Sequence, residues 1–249
     1  MRIVFMGTPE FAVPCLRDLI ANKHEIAAVV TQPDKAKGRG NKLALPPVKV
    51  LANESGIPVY QPVKIKTGEF TEILKSVAPE VIIVVAFGQL LSQEILDIPP
   101  HGCINVHASI LPKYRGAAPI NWCIINGDKT TGVTTMYMDK GLDTGDIILK
   151  REIQIGADEN AGELHDRLSE LGASALSETI ELLISGKIER IPQNNEEATY
   201  APIMTKELGR IDWSKDASDV RNLIRGTYPW PGAFSSYNGK IFKILNEKG

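Results

Sequence analysis

The 249-residue sequence contains few cysteines and no long apolar run. Its three cysteines, Cys15, Cys103 and Cys123, are odd in number and form neither a Cys-x-x-Cys pair nor a cluster with histidine. No stretch reaches the roughly 20 apolar residues that a membrane-spanning helix needs, and the N-terminus lacks the layout of a signal peptide. These absences argue against a disulfide framework, a structural metal site and a membrane span. We therefore expect a reduced, cytoplasmic protein without a bound metal.

The sequence also lacks the common nucleotide-binding motifs and an excess of positive charge. Gly7-Thr8-Pro9 follows the first predicted strand, but neither G-x-G-x-x-G nor G-x-x-x-x-G-K-S/T is present. This segment therefore predicts a tight strand-to-helix turn. The formal net charge is −2, whereas an autonomous RNA-binding domain is usually strongly basic. Any attraction for nucleic acid must therefore be local.

What the sequence does contain is an alternation of β-branched runs and amphipathic segments. The run 81–86 is apolar at every position, as expected of a central strand that is covered on both faces. The alternation predicts an α/β fold with a Rossmann-like, mostly parallel sheet and helices on both faces. The predicted strands are Arg2–Met6, Ile26–Thr31, Val59–Gln61, Val81–Ala86 and Cys103–His107, and the predicted helices are Phe11–Ala21, Pro47–Glu54, Thr71–Val77 and Ser92–Leu96.

The pattern divides the chain into three consecutive regions. Residues 1–188 are predicted to form one large domain, residues 189–205 are polar without a period and predict a linker, and residues 206–249 begin a second domain. The later predicted elements are strands at Gly132–Asp139, Asp146–Ile155, Ile211–Trp213, Ala233–Tyr237 and Lys240–Leu245, and helices at Asn160–Ser185 and Ala217–Gly226.

Asn105 and His107 stand two residues apart on a predicted strand, so their side chains face the same way. Asn105 offers an N–H donor to a developing oxyanion, and His107 can donate a second hydrogen bond or accept a proton. Asp143 would orient the imidazole if the fold brings its loop back. Without an adjacent nucleophilic Ser or Cys, the set indicates direct transfer to an amine. Spacing alone leaves structural roles open for all three residues.

The segment after Asp34 concentrates positive charge. Four cations lie within eight residues, separated by glycines and small side chains: Lys35, Lys37, Arg39 and Lys42. On a chain of negative net charge this pattern predicts attraction for phosphate, and a solvated surface loop is the open alternative. The segment is long for a connection between a strand and a helix, which favours a functional role.

Two segments of the sequence are similar to a known family signature. The run Asn105–Gly116, followed by Gly141–Asp146, resembles the signature of the formyltransferases that use 10-formyltetrahydrofolate. The similarity extends from Met1 to about Phe242. Other matching segments are Val4–Phe11, Thr31–Asp34, Val84–Gly88, Gly116–Ile120 and Pro229–Phe234.

The resemblance implies an enzyme that transfers the formyl group of 10-formyltetrahydrofolate to the α-amine of methionyl-initiator tRNA. It implies catalytic roles for Asn105, His107 and Asp143, and no metal. It also implies that the formyl donor is held by two segments near the carboxyl ends of the strands, where open α/β sheets bind ligands. These segments comprise Ser109, Ile110, Leu111 and Pro112 at the reactive end of the folate, and Phe87, Gly88, Gln89 and Leu90 at the pterin.

The resemblance further implies that the basic segment inserts into the acceptor arm of the tRNA, with Arg39 as its most important residue. Residues 206–249 would begin a C-terminal β-barrel of the oligonucleotide-binding type, and they are too few to close a five-stranded barrel. We expect the barrel to be incomplete. Nothing in the sequence requires more than a monomer.

Three other functions are compatible with the sequence. A formyltransferase acting on a 4-amino-sugar nucleotide would share the Asn-x-His pair, although the basic segment and the Gly141–Asp146 run favour tRNA. A formyltetrahydrofolate hydrolase module would transfer the formyl group to water. A folate- or RNA-binding module would keep Asn105, His107 and Asp143 without turning over any amine.

Overall fold

The structure, a computed structural model, describes residues 1–37 and 42–245. None of the helices in these two ranges combines the length and the apolar character that crossing a membrane requires. The strands are β1 (Arg2–Gly7), β2 (Glu25–Val30), β3 (Lys35–Lys37), β4 (Lys42–Ala44), β5 (Val59–Tyr60), β6 (Val81–Val85), β7 (Cys103–His107), β8 (Arg115–Gly116), β9 (Thr130–Tyr137), β10 (Ile147–Gln154), β11 (Tyr200–Ala201), β12 (Ala233–Tyr237) and β13 (Lys240–Ile244). The helices are α1 (Val13–Ala21), α2 (Pro47–Glu54), α3 (Gly68–Val77), α4 (Gln93–Leu96), α5 (Pro119–Ile125), α6 (Ala161–Ile184) and α7 (Ala217–Thr227), with short 3₁₀ turns at Glu10–Ala12, Asn195–Glu197 and Glu207–Gly209.

Tertiary contacts divide the chain into two compact units, each assembled from three separate segments. The predicted domains, 1–188 and 206–249, are instead consecutive in sequence, and they stay a prediction. The first unit comprises Met1–His107, Thr134–Lys150 and Ser169–Gln193, and the second comprises Ala108–Val133, Arg151–Leu168 and Asn194–Gly249.

The main sheet has seven strands in the order β10-β9-β7-β6-β1-β2-β5. The five strands β7, β6, β1, β2 and β5 run parallel to one another. The next strand, β9, runs antiparallel to β7. Every residue of β6 is buried, as the unbroken apolar run in its sequence predicted. The prediction of a mostly parallel α/β sheet is therefore confirmed.

Helices cover both faces of this sheet within the first unit. On one face, Val84 of β6 packs in an apolar cluster with Leu74 of α3 and Ile95 of α4. On the opposite face, α6 approaches β7 so closely that a Cβ on Gly172 would lie 3.2 Å from Val106 Cγ1. The two packed faces hold the strand ends in fixed positions, which is what a site at the carboxyl edge of the sheet needs.

The second unit is built from helices and short strand pairs. Helices α5 and α7 pack against each other, where a Cβ on Gly226 would lie 2.6 Å from Ile125 Cγ1. Strands β8 and β11 form a parallel pair. Strands β12 and β13 form an antiparallel hairpin whose turn residues, Asn238 and Gly239, have positive φ angles of 47° and 74°.

Local structure differs from the sequence prediction in several places. Helix α5 was not predicted, because it is only seven residues long, follows a stretch of turn residues and ends in the β-branched pair Ile124 and Ile125. The predicted strand Ile211–Trp213 is wrong. Its neighbourhood contains an isolated bridge between Arg210 and Phe234, and the Trp213 indole donates a hydrogen bond of 2.8 Å to Ser235 Oγ. The basic segment after Asp34 begins and ends in a short antiparallel pair, β3 with β4, that the sequence did not predict.

Candidate active site

The carboxyl end of β7 presents the Asn-x-His pair on one face of the sheet. Asn105 is paired in register with Val84 of β6, so its side chain points to the face on which Val84 packs, and His107 follows on the same face. The His107 side chain is buried and Asn105 is half-buried. The sequence prediction that these two side chains share a face is thus consistent with the strand register.

The loop between β9 and β10 brings Asp143 to this pair. Asp143 Oδ2 lies 3.7 Å from His107 Nδ1, and Asp143 Oδ1 lies 3.5 Å from Asn105 Nδ2, at the long limit of a hydrogen bond. All three side chains belong to the first unit. The structure therefore brings together the three residues predicted to be catalytic, although Asn105 and Asp143 are 38 positions apart in sequence.

Hydrogen bonds to the Asp139 side chain and close packing at Gly145 set the shape of this loop, which we name the Asp143 loop and define as residues 139–146. Asp139 Oδ1 accepts hydrogen bonds from the Gly141 N–H at 2.9 Å and from Thr144 Oγ1 at 2.6 Å. A Cβ on Gly145 would lie 1.9 Å from the carbonyl oxygen of Tyr137, so only glycine fits there. The glycines of the Gly141–Asp146 run are thus explained by close packing inside the loop.

One residue beside the site was missed in the sequence. Gln193 falls in the stretch predicted to be a linker, and its side chain donates hydrogen bonds to backbone carbonyls of the Asp143 loop. A lone glutamine in a polar stretch without a period carries no signal by itself. These contacts become visible only when the fold brings residue 193 beside the loop.

The predicted pterin segment follows β6 at the carboxyl edge of the sheet. The Phe87 ring is buried in the apolar cluster, and its carbonyl oxygen accepts hydrogen bonds from Gln32 Nε2 at 3.1 Å and from Thr8 Oγ1 at 3.4 Å. Gly88 and Leu90 are exposed. Gln89 Oε1 instead accepts from the backbone N–H of Ile65 at 2.9 Å, which ties the segment to the loop before α3.

The four residues predicted at the reactive end of the folate lie in the second unit. Leu111 is fully buried, and Ser109 Oγ donates a hydrogen bond of 2.6 Å to the carbonyl oxygen of Lys113. The backbone N–H of Lys113 in turn donates to the carbonyl of Ile110 at 3.1 Å. These contacts fold the segment 109–113, which includes Pro112, into a tight turn. That this segment holds the formyl donor stays a prediction.

Three of the four predicted tRNA-binding residues lie on the β3–β4 hairpin. Lys35 is exposed at its start, and Lys37 is the register partner of Lys42 where the two strands end. Arg39 lies outside the described residues. The hairpin backbone therefore contains three of the four residues predicted to bind tRNA.

A polar network holds the base of this hairpin. Lys49 Nζ of α2 lies 2.7 Å from Asp34 Oδ2, and both side chains are mostly buried. Gln61 Nε2 donates to Asp34 Oδ1 at 2.8 Å and to the carbonyl oxygen of Gln32 at 2.9 Å. Hydrogen bonds from Lys49 and Gln61 hold the pKa of the Asp34 carboxyl below its ordinary value. The network fixes the chain immediately before Lys35.

The cysteines are poor nucleophiles. Cys15, Cys103 and Cys123 are buried free thiols. Burial raises the pKa of Cys103 to about 12 and that of Cys123 to about 11, so neither forms an appreciable amount of thiolate near neutral pH. In the part of the chain that the structure describes, no three His, Cys, Asp or Glu side chains are grouped so as to hold a metal ion.

Comparison with known sequences identifies related enzymes. The formyl transferase family model matches residues 1–180, and the model of the formyl transferase C-terminal domain matches residues 203–248. The chain is 60% identical over 248 residues to the methionyl-tRNA formyltransferase of Clostridioides difficile, covering 100% of this chain and 80% of that protein. It is 58% identical over 244 residues to the methionyl-tRNA formyltransferase of Acetivibrio thermocellus, covering 98% of this chain and 78% of that protein.

Solved structures share the fold at lower sequence identity. An N-formyltransferase from Helicobacter canadensis, in complex with folinic acid and dTDP-3-aminofucose, matches with a TM-score of 0.75 and 22% identity, covering 98% of this chain and 86% of that chain. A 4-N formyltransferase from Francisella tularensis matches with a TM-score of 0.77 and 19% identity, covering 99% and 98%. These matches support the architecture of the sheet and of the smaller C-terminal region.

Proposed function

The chain belongs to the formyl transferase family, and on that premise we propose that it transfers the formyl group of 10-formyltetrahydrofolate to the α-amine of methionyl-initiator tRNA. The products are N-formylmethionyl-tRNA, which serves translation initiation, and tetrahydrofolate. The observation that carries this proposal is the convergence of Asn105, His107 and Asp143 at the carboxyl end of β7, in a chain about 60% identical to methionyl-tRNA formyltransferases.

The chemistry of these three side chains suits direct acyl transfer. The amine nitrogen attacks the formyl carbon, a C–N bond forms, and negative charge develops on the formyl oxygen. Asn105 supplies an N–H donor to that oxygen, and His107 supplies a second donor or accepts the proton that the amine loses. The Asp143 carboxylate, 3.7 Å from His107 Nδ1, orients the imidazole. The C–N bond to the folate then breaks, and its nitrogen takes up a proton.

Two features of the first unit fit a folate as the formyl donor. Segment 86–90, in which Ala86, Gly88 and Leu90 are exposed, follows a central parallel strand, which is where open α/β sheets bind ligands. Its Ala86 and Gly88 adopt positive φ angles of 46° and 83°, and left-handed backbone at a non-glycine residue such as Ala86 is concentrated at ligand sites. A pterin presents both donors and acceptors along its edge, so exposed backbone groups can recognise it. The segment's contacts with the pterin belong to the proposal.

The β3–β4 hairpin supports the assignment of tRNA as the acceptor. It carries Lys35, Lys37 and Lys42, and Arg39 lies between its strands in sequence. Phosphate neutralisation by such cations supplies affinity that depends steeply on salt. The mostly buried Asp34–Lys49 pair at its base keeps the hairpin attached to a fixed part of the fold. We place the acceptor arm of the tRNA against this hairpin.

We further propose that the enzyme acts as a monomer in the cytoplasm. Asn105, His107 and Asp143 all come from one chain, so catalysis needs no residue of a second copy. Buried free thiols are consistent with a reducing compartment. The monomer is tested by sedimentation of the purified protein with its tRNA, which should give a 1:1 complex. A 2:1 protein-to-tRNA complex would contradict it.

The identity of the formyl acceptor is tested by incubating the enzyme and 10-formyltetrahydrofolate with each of three possible acceptors. These are methionyl-initiator tRNA, a 4-amino-sugar nucleotide, and water alone. The proposal predicts formyl transfer to the methionyl-tRNA and none to the sugar. Transfer to the sugar would move the assignment to sugar modification, and release of formate without an acceptor would indicate a hydrolase.

A further inference from the structure

We propose that Gln193 is a positioning residue that holds the Asp143 loop in its productive shape. This inference rests on the proposed function, because it concerns how the candidate active site is assembled. Gln193 Nε2 donates hydrogen bonds to the backbone carbonyl oxygens of Asp143 at 2.9 Å and of Gly145 at 2.7 Å. One amide nitrogen therefore holds the loop on both sides of Thr144.

The chemistry of the two partners specifies glutamine. Both are carbonyl oxygens, which only accept, so the NH₂ group of Gln193 must face them. A carboxylate in the same place would put an acceptor against two acceptors, and a thioether would offer no donor. The side chain is half-buried, so water competes only partly for the two carbonyls. Length and donor capacity are both required.

The residues just before Gln193 contact the two strands that flank the Asp143 loop, β9 and β10. Arg190 stacks on the ring of Tyr137, with its guanidinium carbon 3.8 Å from the ring centroid, and Tyr137 ends β9. Ile191 exchanges two backbone hydrogen bonds with Ile147, the first residue of β10, at 2.8 and 2.9 Å. Gln193 thus reaches the Asp143 loop from a segment that is fixed to the strands on either side of it.

The loop needs this support because of its backbone conformation. Asp143 has a φ of 54°, in the left-handed region that non-glycine residues rarely adopt. Such a conformation persists where surrounding contacts impose it. The carboxylate contacts with His107 and Asn105 are already long, at 3.7 and 3.5 Å, so a small displacement of the loop separates the three groups.

The test uses the full chain with Gln193→Met, which keeps the side-chain length and removes the donors. We expect single-turnover formyl transfer to methionyl-tRNA to slow by roughly 10- to 100-fold, since a misplacement of about 1 Å costs that much. KM for the tRNA and for the donor should stay within about twofold. The matched control is Gln93→Met, an exposed residue of α4 whose Nε2 bonds to Asp97, and it should behave as wild type.

A second measurement reports on the loop without any substrate. Amide hydrogen exchange of residues 139–146 should be faster in Gln193→Met than in wild type and in Gln93→Met. Gln193→Glu, which replaces the donor by an acceptor, should give the same pattern in both measurements. Wild-type exchange and wild-type rates in both Gln193 variants would overturn the proposal.

A double variant separates positioning from a general loss of structure. If Gln193 acts through Asp143, then Gln193→Met adds less than about twofold to the loss already caused by Asp143→Asn. A full additional 10-fold loss in that background would overturn the proposal. If the wild-type chain transfers no formyl group to methionyl-tRNA, the proposed function fails, while the exchange comparison still decides whether Gln193 holds the loop.

Discussion

His107 Nδ1 and Asp143 Oδ2 lie 3.7 Å apart, beyond a hydrogen bond and within the range of an ion pair. Their side chains are only 7% and 14% exposed, so a charge on one acts on the other with little screening by water. Catalytic contacts are often long in a free enzyme and shorten when the reacting groups bind. This pair is therefore arranged to strengthen as positive charge develops on the imidazole.

Replacing Asp143 by Asn tests that relationship, because the change removes the charge and keeps the shape. We expect formyl transfer to slow by roughly 10²-fold, in the range that a positioned acid–base group contributes. The pH–rate profile should also change. Asp97→Asn, an exposed carboxylate beside α4, is the control. If the profile of Asp143→Asn matches that of wild type, Asp143 is only a turn residue.

Much of this site was predictable because its residues carry local signals. Asn105 and His107 share a face through the two-residue period of a strand, and the apolar run 81–86 predicted the central strand beside them, observed as Val81–Val85. Asp143 was identified from the sequence motif Gly141–Asp146, which contains it, and not from any periodicity. Its distance to His107 depends on the pairing of β7 with β9, which a single sequence does not display.

Other features depend on contacts between distant segments and have no local signal. Gln193 matters because of two carbonyl groups 50 and 48 positions away in sequence. Phe87 was predicted to lie in the pterin segment, and its ring proves to be part of the apolar cluster. Helix α5 lies in a region that turn residues dominate. In each case burial or pairing overrode what propensity indicated.

The lowered pKa of Asp34 predicts how stability depends on pH. Because the folded-state pKa lies below the ordinary value of 3.8, the ionised carboxylate stabilises the folded protein above that pH, and this contribution is lost as the pH falls through the lowered value. Asp34→Asn should therefore be less stable than wild type in urea at pH 7. The difference should shrink as the pH falls below about 4. A difference that stays constant over this range would contradict the assignment.

Arg39→Ala should weaken the interaction with tRNA without altering the chemical step. We expect a higher KM for methionyl-tRNA, an unchanged single-turnover rate at saturating tRNA, and a slope of log affinity against log salt that is smaller by about one. Arg17→Ala, an exposed arginine of α1, makes the same change in charge and serves as the control. Equal salt slopes for the two variants would show that the segment's charge acts only nonspecifically.

Single-turnover formyl transfer to methionyl-initiator tRNA in wild type, Asn105→Ala and His107→Ala is the measurement that tests the central claim most directly. Losing one oxyanion donor costs ~10²–10³ in rate, so Asn105→Ala should lose about that much, and His107→Ala at least as much. Both should keep wild-type thermal stability within a few degrees, and Asn53→Ala, an exposed change on α2, should keep the full rate. Near-normal transfer by both site variants would show that the reaction takes place elsewhere on the chain.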